Sequence, residues 1–178
     1  MTEAEIVSAC LRGDSKYEWA LYEKYAPRMY AVCLRYANRK EEAQDFLQEG
    51  FIKVFENLKS YRGDGSLEGW IRRIIVNVIL KSFRKKAYKM EVRETYLEPT
   101  ATTTDALSKL SEKELCQMIN ELPEGYKLVF NLYVIEGFSH KEIATELKIN
   151  ESTSRSQLAK ARNMLQQKIS STENYVIK

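Results

Sequence analysis

The sequence predicts an all-α fold: two small helical domains joined by a flexible linker. Three observations carry that prediction. Apolar residues recur at helical spacing along nearly the whole chain, and strand-like alternation is almost absent. The 178 residues suffice for one medium domain or two small ones. One stretch, "EPTATTTD" at 98–105, is Pro/Thr-rich and has no large apolar residue, so it can bury no core of its own. A first domain is therefore expected over 1–90, a linker over 91–109, a second domain over 110–170 and a short tail over 171–178.

The first helical region spans about Ser15 to Ala37. Trp19, Tyr22, Tyr25, Met29, Val32, Cys33 and Tyr36 fall near one stripe. Pro27 lies inside it, so a kink there or a break between two helices is expected. A second helix covers about Glu41 to Leu58, with Ala43, Leu47, Phe51, Val54, Phe55 and Leu58 as its core face. The loop "KSYRGDGS" follows, with Gly63 and Gly65 freeing its backbone. A third helix spans Leu67 to about Lys86, apolar at Trp70, Ile71, Ile74, Ile75, Val78 and Ile79.

The second domain opens at Ser111, whose "SEKE" pattern is a capping box with Glu114. That helix ends before Pro123, which suits the first turn of the next one. Leu128, Val129, Leu132 and Tyr133 form its buried side, and Gly137 stops it. Ser139 with Glu142 is a further capping box, opening a short helix with Ile143, Ala144 and Leu147 inward. Asn150 is placed to cap the last long helix.

A net charge of +3 says little about partners, but its distribution says more. Seven basic residues and no acid lie between Trp70 and Met90, and four basic residues and no acid between Ser152 and Lys168. Glu94 to Ser108 holds three acids and no base. Two basic islands across an acidic link suit two surfaces facing one polyanion. Cys10, Cys33 and Cys116 are far apart, and His140 is the only histidine, so no metal site is expected. The thiols read as reduced, two or three of them interior. "MTEAEIVSAC" has acids where a signal peptide has bases, and "IIVNVIL" is the longest apolar run. A cytoplasmic protein with no direct membrane insertion is expected. No phosphate loop, nucleophile motif or metal set is visible, so neither catalysis, a cofactor nor a small-molecule substrate is expected.

Three features point to function. "GFSHKEIATELKINESTSRSQLAKAR", residues 137–162, reads as a helix-turn-helix with Ala144 as the small residue at the crossing. Its second helix offers Ser152, Ser154, Arg155 and Gln157 to base edges and Lys160 and Arg162 to phosphates. Lys148 stands where such turns usually hold glycine. A left-handed backbone there costs a non-glycine about 1 kcal/mol. Ser154 stands where an apolar residue usually packs.

In "EEAQDFLQEGFIKVFENL", Asp45, Gln48, Glu49 and Ile52 share the face opposite the core stripe. That face is either simply solvated or a docking surface with Ile52 as its apolar anchor. From Ser60 to Lys86, the loop residues Ser60, Tyr61 and Arg62 precede Arg73, Asn77, Lys81, Arg84 and Lys85. Aromatic rings beside cations suit unstacked bases. Trp70 itself fits better as core, given its spacing with Ile71 and Ile74.

Together these motifs resemble a bacterial RNA polymerase sigma factor of the extracytoplasmic-function (ECF) type. "LYEKYAPRMYAVCLRY" and "AQDFLQEGFIKVFENL" resemble sigma region two. "SLEGWIRRIIVNVILKSFRKK" resembles its helix that contacts the minus-ten promoter element. "LPEGYKLVFNLYVIEGFSHKEIATELKINESTSRSQLAKARNML" resembles region four, which reads the minus-thirty-five element.

The resemblance implies roles. Asp45, Gln48, Glu49 and Ile52 dock on the coiled coil of the polymerase beta-prime subunit. Ser60 to Ser66 captures a flipped-out base. Arg73, Asn77, Lys81, Arg84 and Lys85 hold minus-ten DNA. The second helix of the helix-turn-helix enters the minus-thirty-five groove, and region four rests on the beta flap. Core RNA polymerase and promoter DNA are the implied partners, with an anti-sigma protein as a possible third. The alternative is a stand-alone helix-turn-helix regulator with an N-terminal helical dimerisation domain. It leaves the basic helix from Arg72 and the Asp45/Gln48/Glu49 face without a purpose.

Overall fold

The computed structural model describes the backbone of residues 2–89 and 112–176 and the side chains of residues 2–85 and 113–171. Every regular element among them is helical. The chain divides into two compact units, 1–85 and 86–178. The expected linker at 91–109 and the Ser111 cap lie outside the described residues.

The first unit begins with a helix that the sequence reading did not anticipate, α1 (Glu3–Leu11). Its start was legible: Thr2 and Glu5 form a reciprocal capping box, with the Thr2 amide donating to Glu5 Oε2 at 2.8 Å. Ile6 and Ala9 are buried. The helix is tied to α2 (Ser15–Tyr36) by the Tyr25 hydroxyl, which donates to Glu3 Oε1 at 2.6 Å. That bond, helped by Lys24, holds the Glu3 carboxyl below the usual carboxylate range.

Helix α2 runs unbroken through Pro27, so no second helix starts there. The proline is exposed. Meanwhile Leu21, Tyr25, Met29, Cys33 and Tyr36 bury their side chains at helical spacing, and that packing outweighs one missing backbone bond.

Helix α3 (Lys40–Asn57) packs on α2 and passes through a 3₁₀ turn, Leu58–Ser60, into the glycine loop. Helix α4 (Leu67–Lys89) closes the unit, burying Leu67, Ile71, Ile75 and Ile79 completely. Each such side chain contributes about 1.5–3 kcal/mol. Trp70 differs from expectation. It is only half-buried, and its ring meets Tyr61 at 5.4 Å.

The α3–α4 contact depends on Gly50. A Cβ there would lie 2.6 Å from Ile75 Cγ1, inside van der Waals contact. The two helices therefore approach closer than any side chain at 50 permits.

The second unit contains α5 (Glu112–Asn120), α6 (Glu124–Phe130), α7 (His140–Leu147) and α8 (Glu151–Val176). Pro123 takes the capping position rather than the first turn of α6. A π-helical turn, Asn131–Ile135, extends α6, and Gly137 ends the run at φ 75°. Ile119, Leu122, Ala161 and Leu165 form one buried cluster joining α5 to α8. Helix α8 continues to Val176, into the stretch read as a tail.

The Ser139–Glu142 capping box forms as expected, the Ser139 amide donating to Glu142 Oε2 at 2.8 Å. Lys148 ends α7 in the left-handed region at φ 56°, ψ 41°, and the Ile149 amide donates to the Ala144 carbonyl at 3.1 Å. Lys148→Gly is therefore expected to stabilise this unit. Relief of about 1 kcal/mol of left-handed strain slightly exceeds the entropy glycine adds to the unfolded chain, for a net gain of up to about 0.5 kcal/mol. Thermal unfolding of both proteins checks this; a lower midpoint for the glycine variant contradicts it.

Candidate nucleic-acid interfaces and docking face

In α3, the core stripe turns one side of the helix inward and leaves Asp45, Gln48, Glu49 and Ile52 exposed together on the other. Ile52 keeps half of its surface in solvent, although it is a large aliphatic residue on a well-packed helix. The result is an apolar centre edged by carboxylates.

The loop from Ser60 to Ser66 is more ordered than two glycines alone suggest. Gly63 and Gly65 take φ of 81° and 103°, angles that L side chains rarely adopt. The Tyr61 hydroxyl donates to the Gly65 carbonyl at 2.9 Å, and the Ser60 hydroxyl donates to the Asn57 carbonyl at 2.8 Å. Ser66 Oγ accepts from the Gly69 amide at 3.1 Å, capping α4. Tyr61 thus acts as a clasp resting on Trp70. Ser60 and Arg62 stay exposed at the loop surface.

On α4, Arg73, Asn77, Lys81 and Lys85 follow at i, i+4, i+8 and i+12 and are all exposed, with Arg84 half-buried beside them. The inward face is apolar, so the cations form one outward row without an acid. A polyanion lying along this helix meets them in register.

The helix-turn-helix is formed by α7 and α8. Ser152 and Arg155 are exposed on α8, and Arg155 pairs with Glu151. Arg162 is exposed, with its guanidinium 5.9 Å from the Tyr133 ring. Gln157 and Lys160 lie half-buried on the flank. Gln157 rests beside Gly125, and the Lys160 ammonium sits 6.0 Å from the Tyr126 ring.

Ser154 requires a correction. It is fully buried and cannot reach a base edge. Its hydroxyl is 2.9 Å from His140 Nδ1, so a polar pair fills the place where such motifs usually pack an apolar residue between the two helices. Two residues missed in the sequence, Ser156 and Ala159, are exposed at the centre of the outward face. Their i+4 and i+7 spacing from Ser152 was the available signal.

His140 is buried at the first position of α7 and stacks on Tyr133 at 4.4 Å. Burial lowers its pKa, Arg155 and Arg162 lower it further, and Glu151 opposes them. The unfolded chain therefore takes up this proton at a higher pH than the folded one. The unit is fully stabilised above the ordinary histidine value of about 6.5 and loses stability as pH falls from there towards the lowered folded value. Melting between about pH 7.5 and 5.5 checks this, because His140 is the only histidine. His140→Gln is expected to flatten the profile, and an unchanged slope contradicts the assignment.

Elsewhere, burial pushes the Cys33 thiol up to about 12, leaving it unreactive, and Cys116 is exposed. Among the described residues, no helix is long and apolar enough to cross a membrane.

Comparison with known proteins places these surfaces in a family. Residues 21–88 match Sigma-70 region 2, which includes the α3 face, the loop and the α4 row. Residues 112–165 match Sigma-70 region 4, which includes the helix-turn-helix. An ECF RNA polymerase sigma-E factor of Haemophilus influenzae is 28% identical over 95% of this chain and 96% of its own. The RNA polymerase sigma-H factor of Pseudomonas aeruginosa is 26% identical over 92% and 91%. The sigma factor RpoE, solved with the anti-sigma factor NepR from Bartonella quintana, shares the fold with a TM-score of 0.50 at 20% identity. That likeness covers 83% of this chain and 93% of that one. With a region-two unit and a region-four unit in the same order, the chain belongs to the sigma-70 family as an ECF sigma factor, a subunit that directs core RNA polymerase to promoters.

Proposed function

We propose that this chain initiates transcription as a dissociable clamp with two DNA-reading arms and no catalysis or cofactor of its own, acting in the cytoplasm. The observation that carries this reading is the coexistence of an acidic, apolar-centred face on α3 with separate basic faces on α4 and α8. A regulator that binds an operator unaided has no use for the first.

In this proposal Asp45, Gln48, Glu49 and Ile52 dock on the beta-prime coiled coil of core polymerase. Ser60 and Arg62 meet an extruded base of the minus-ten element at a loop that Tyr61 holds in shape. Arg73, Asn77, Lys81, Arg84 and Lys85 hold the adjoining backbone. Ser152 and Arg155 face the minus-thirty-five bases, joined by Ser156, while Gln157, Lys160 and Arg162 steady the flanks against phosphates. The region-four unit rests on the beta flap, and residues 91–109 serve as the link between the arms. An anti-sigma protein is a further proposed partner, because the RpoE relative was solved with one.

Each arm alone offers few cations and fewer base contacts. Free chain should therefore bind promoter DNA weakly, with affinity falling with salt by a slope of about −0.9 per phosphate neutralised. Tethering both arms on polymerase raises the effective concentration of each. DNA titrations with chain alone and with holoenzyme test this. Tight, sequence-specific operator binding by the free chain contradicts it.

Arg155→Ala is expected to change promoter preference, costing about 1–3 kcal/mol at promoters where the guanidinium contacts a guanine edge. Competition between promoter variants checks it. Equal losses on all of them make Arg155 a phosphate contact instead.

A further inference from the structure

Trp19 on α2 is 61% exposed, more than the other exposed large apolar side chains of the described residues, Leu11, Ile52 and Val134. A folded domain gains little from an indole left in water. Yet this indole is held in place. It stacks on Tyr22 at 5.7 Å and an interplanar angle of 26°. Tyr22 meets Phe51 edge-on at 4.8 Å, and Phe51 lies 6.3 Å from Phe55. Phe51 belongs to the core of α3. The exposed ring is thus braced by a ladder of aromatics that begins in the interior, and its position is fixed before any partner arrives.

The ladder leads to the α3 face described above. Gln48, Ile52 and Phe55 follow at i, i+4 and i+7, so the strip containing exposed Ile52 runs onto the flank of α3 that carries Phe55. From Phe55 the ring contacts pass through buried Phe51 and then Tyr22 to Trp19. The opposite edge carries Asp45, Glu49 and Glu56, with Lys53 paired to Glu56. Carboxylates beside the strip repel a nucleic acid or an anionic lipid surface. They suit a protein helix that presents an apolar stripe flanked by lysine and arginine.

We propose that the docking face continues from α3 onto α2, with Trp19 as a second apolar anchor for the same basic helical element of core polymerase that Ile52 engages. This rests on the docking role proposed above for Asp45, Gln48, Glu49 and Ile52. Trp19 and Ile52 then grip the partner at two points, and the braced indole loses little freedom on binding.

The test uses the full chain carrying a dye on exposed Cys116, in the other unit, titrated with core polymerase and read by anisotropy. Trp19→Ala is expected to weaken binding about thirtyfold, the range of an aromatic hot spot. Trp19→Phe should retain most of the affinity. Trp19→Arg should weaken it beyond alanine, because it sets a cation against a basic partner, which a role in folding alone does not predict. Melting temperature and DNA binding by the free chain should stay the same in all three.

If Trp19→Ala and Trp19→Arg bind like the parent while Asp45→Ala/Glu49→Ala binds weakly, the extension onto α2 is overturned and the α3 docking reading stands. If Asp45→Ala/Glu49→Ala also binds like the parent, the docking reading falls with it. Sedimentation that shows a parent dimer lost in Trp19→Ala, at unchanged polymerase affinity, assigns the patch to self-association and likewise overturns the proposal.

Discussion

Asp45→Ala combined with Glu49→Ala is expected to weaken binding to core polymerase about a hundredfold, roughly 3 kcal/mol. Both side chains are exposed on α3. Neither packs in the core, so the fold should be indifferent to their loss. Their partners would be cations of the polymerase, and removing the carboxylates leaves those cations unpaired in a partly desolvated contact. The loss should be larger at low ionic strength, because exposed charges are screened within about 8–10 Å at ordinary salt. Co-purification with core polymerase, compared at two salt concentrations, reads the effect. A double variant that melts early shows instead that the acids matter for folding, and one that binds like the parent shows that the face is merely solvated.

The second large effect concerns stability. Gly50→Leu is expected to destabilise the N-terminal unit by about 3 kcal/mol or more, a large share of the roughly 5–15 kcal/mol typical of a domain. The first added carbon already lies 2.6 Å from Ile75 Cγ1, and Ile75 is fully buried, so the helices must separate. Gly50→Ala should cost less, about 1–2 kcal/mol, since alanine returns nearly 1 kcal/mol of helix propensity. Combining it with Ile75→Ala should recover part of that loss, because the two sites share one contact. Additive losses in the double variant would show that α3 and α4 do not meet through this pair. Separating them should also carry Arg73, Asn77 and Lys81 away from the docking face, so promoter opening should fail before the unit unfolds completely.

Much of this was legible in the sequence, and the failures have physical causes. The core stripes of α3 and α4 were readable because one apolar face repeats without interruption. The Ser139 box was readable because capping chemistry is local. Lys148 was read as standing where such turns usually hold glycine, and its φ of 56° fits a glycine-type position.

Ser154 was misplaced as a base contact. Polarity alone cannot tell a buried hydroxyl from an exposed one, and its partner, His140, lies 14 residues away on another helix. The continuity of α2 through Pro27 was ambiguous for a similar reason. Local preference argues for a break, and only the buried contacts of both halves of the helix decide against it. Helix α1 was missed although its Thr2–Glu5 box is as local as the one at Ser139. The shared exposure of Asp45, Gln48, Glu49 and Ile52 on α3 was legible from their spacing, but the ring contacts from Phe51 through Tyr22 to Trp19 depend on helix pairing, which spacing along one helix does not contain.

Transcription reconstituted from purified core polymerase, this chain and a library of promoter sequences tests the central claim most directly. Transcripts are expected to start at a defined subset of promoters, to require both components, and to be lost in Asp45→Ala/Glu49→Ala. The sigma-factor role is contradicted if no promoter-dependent transcript forms while the chain alone protects a specific operator.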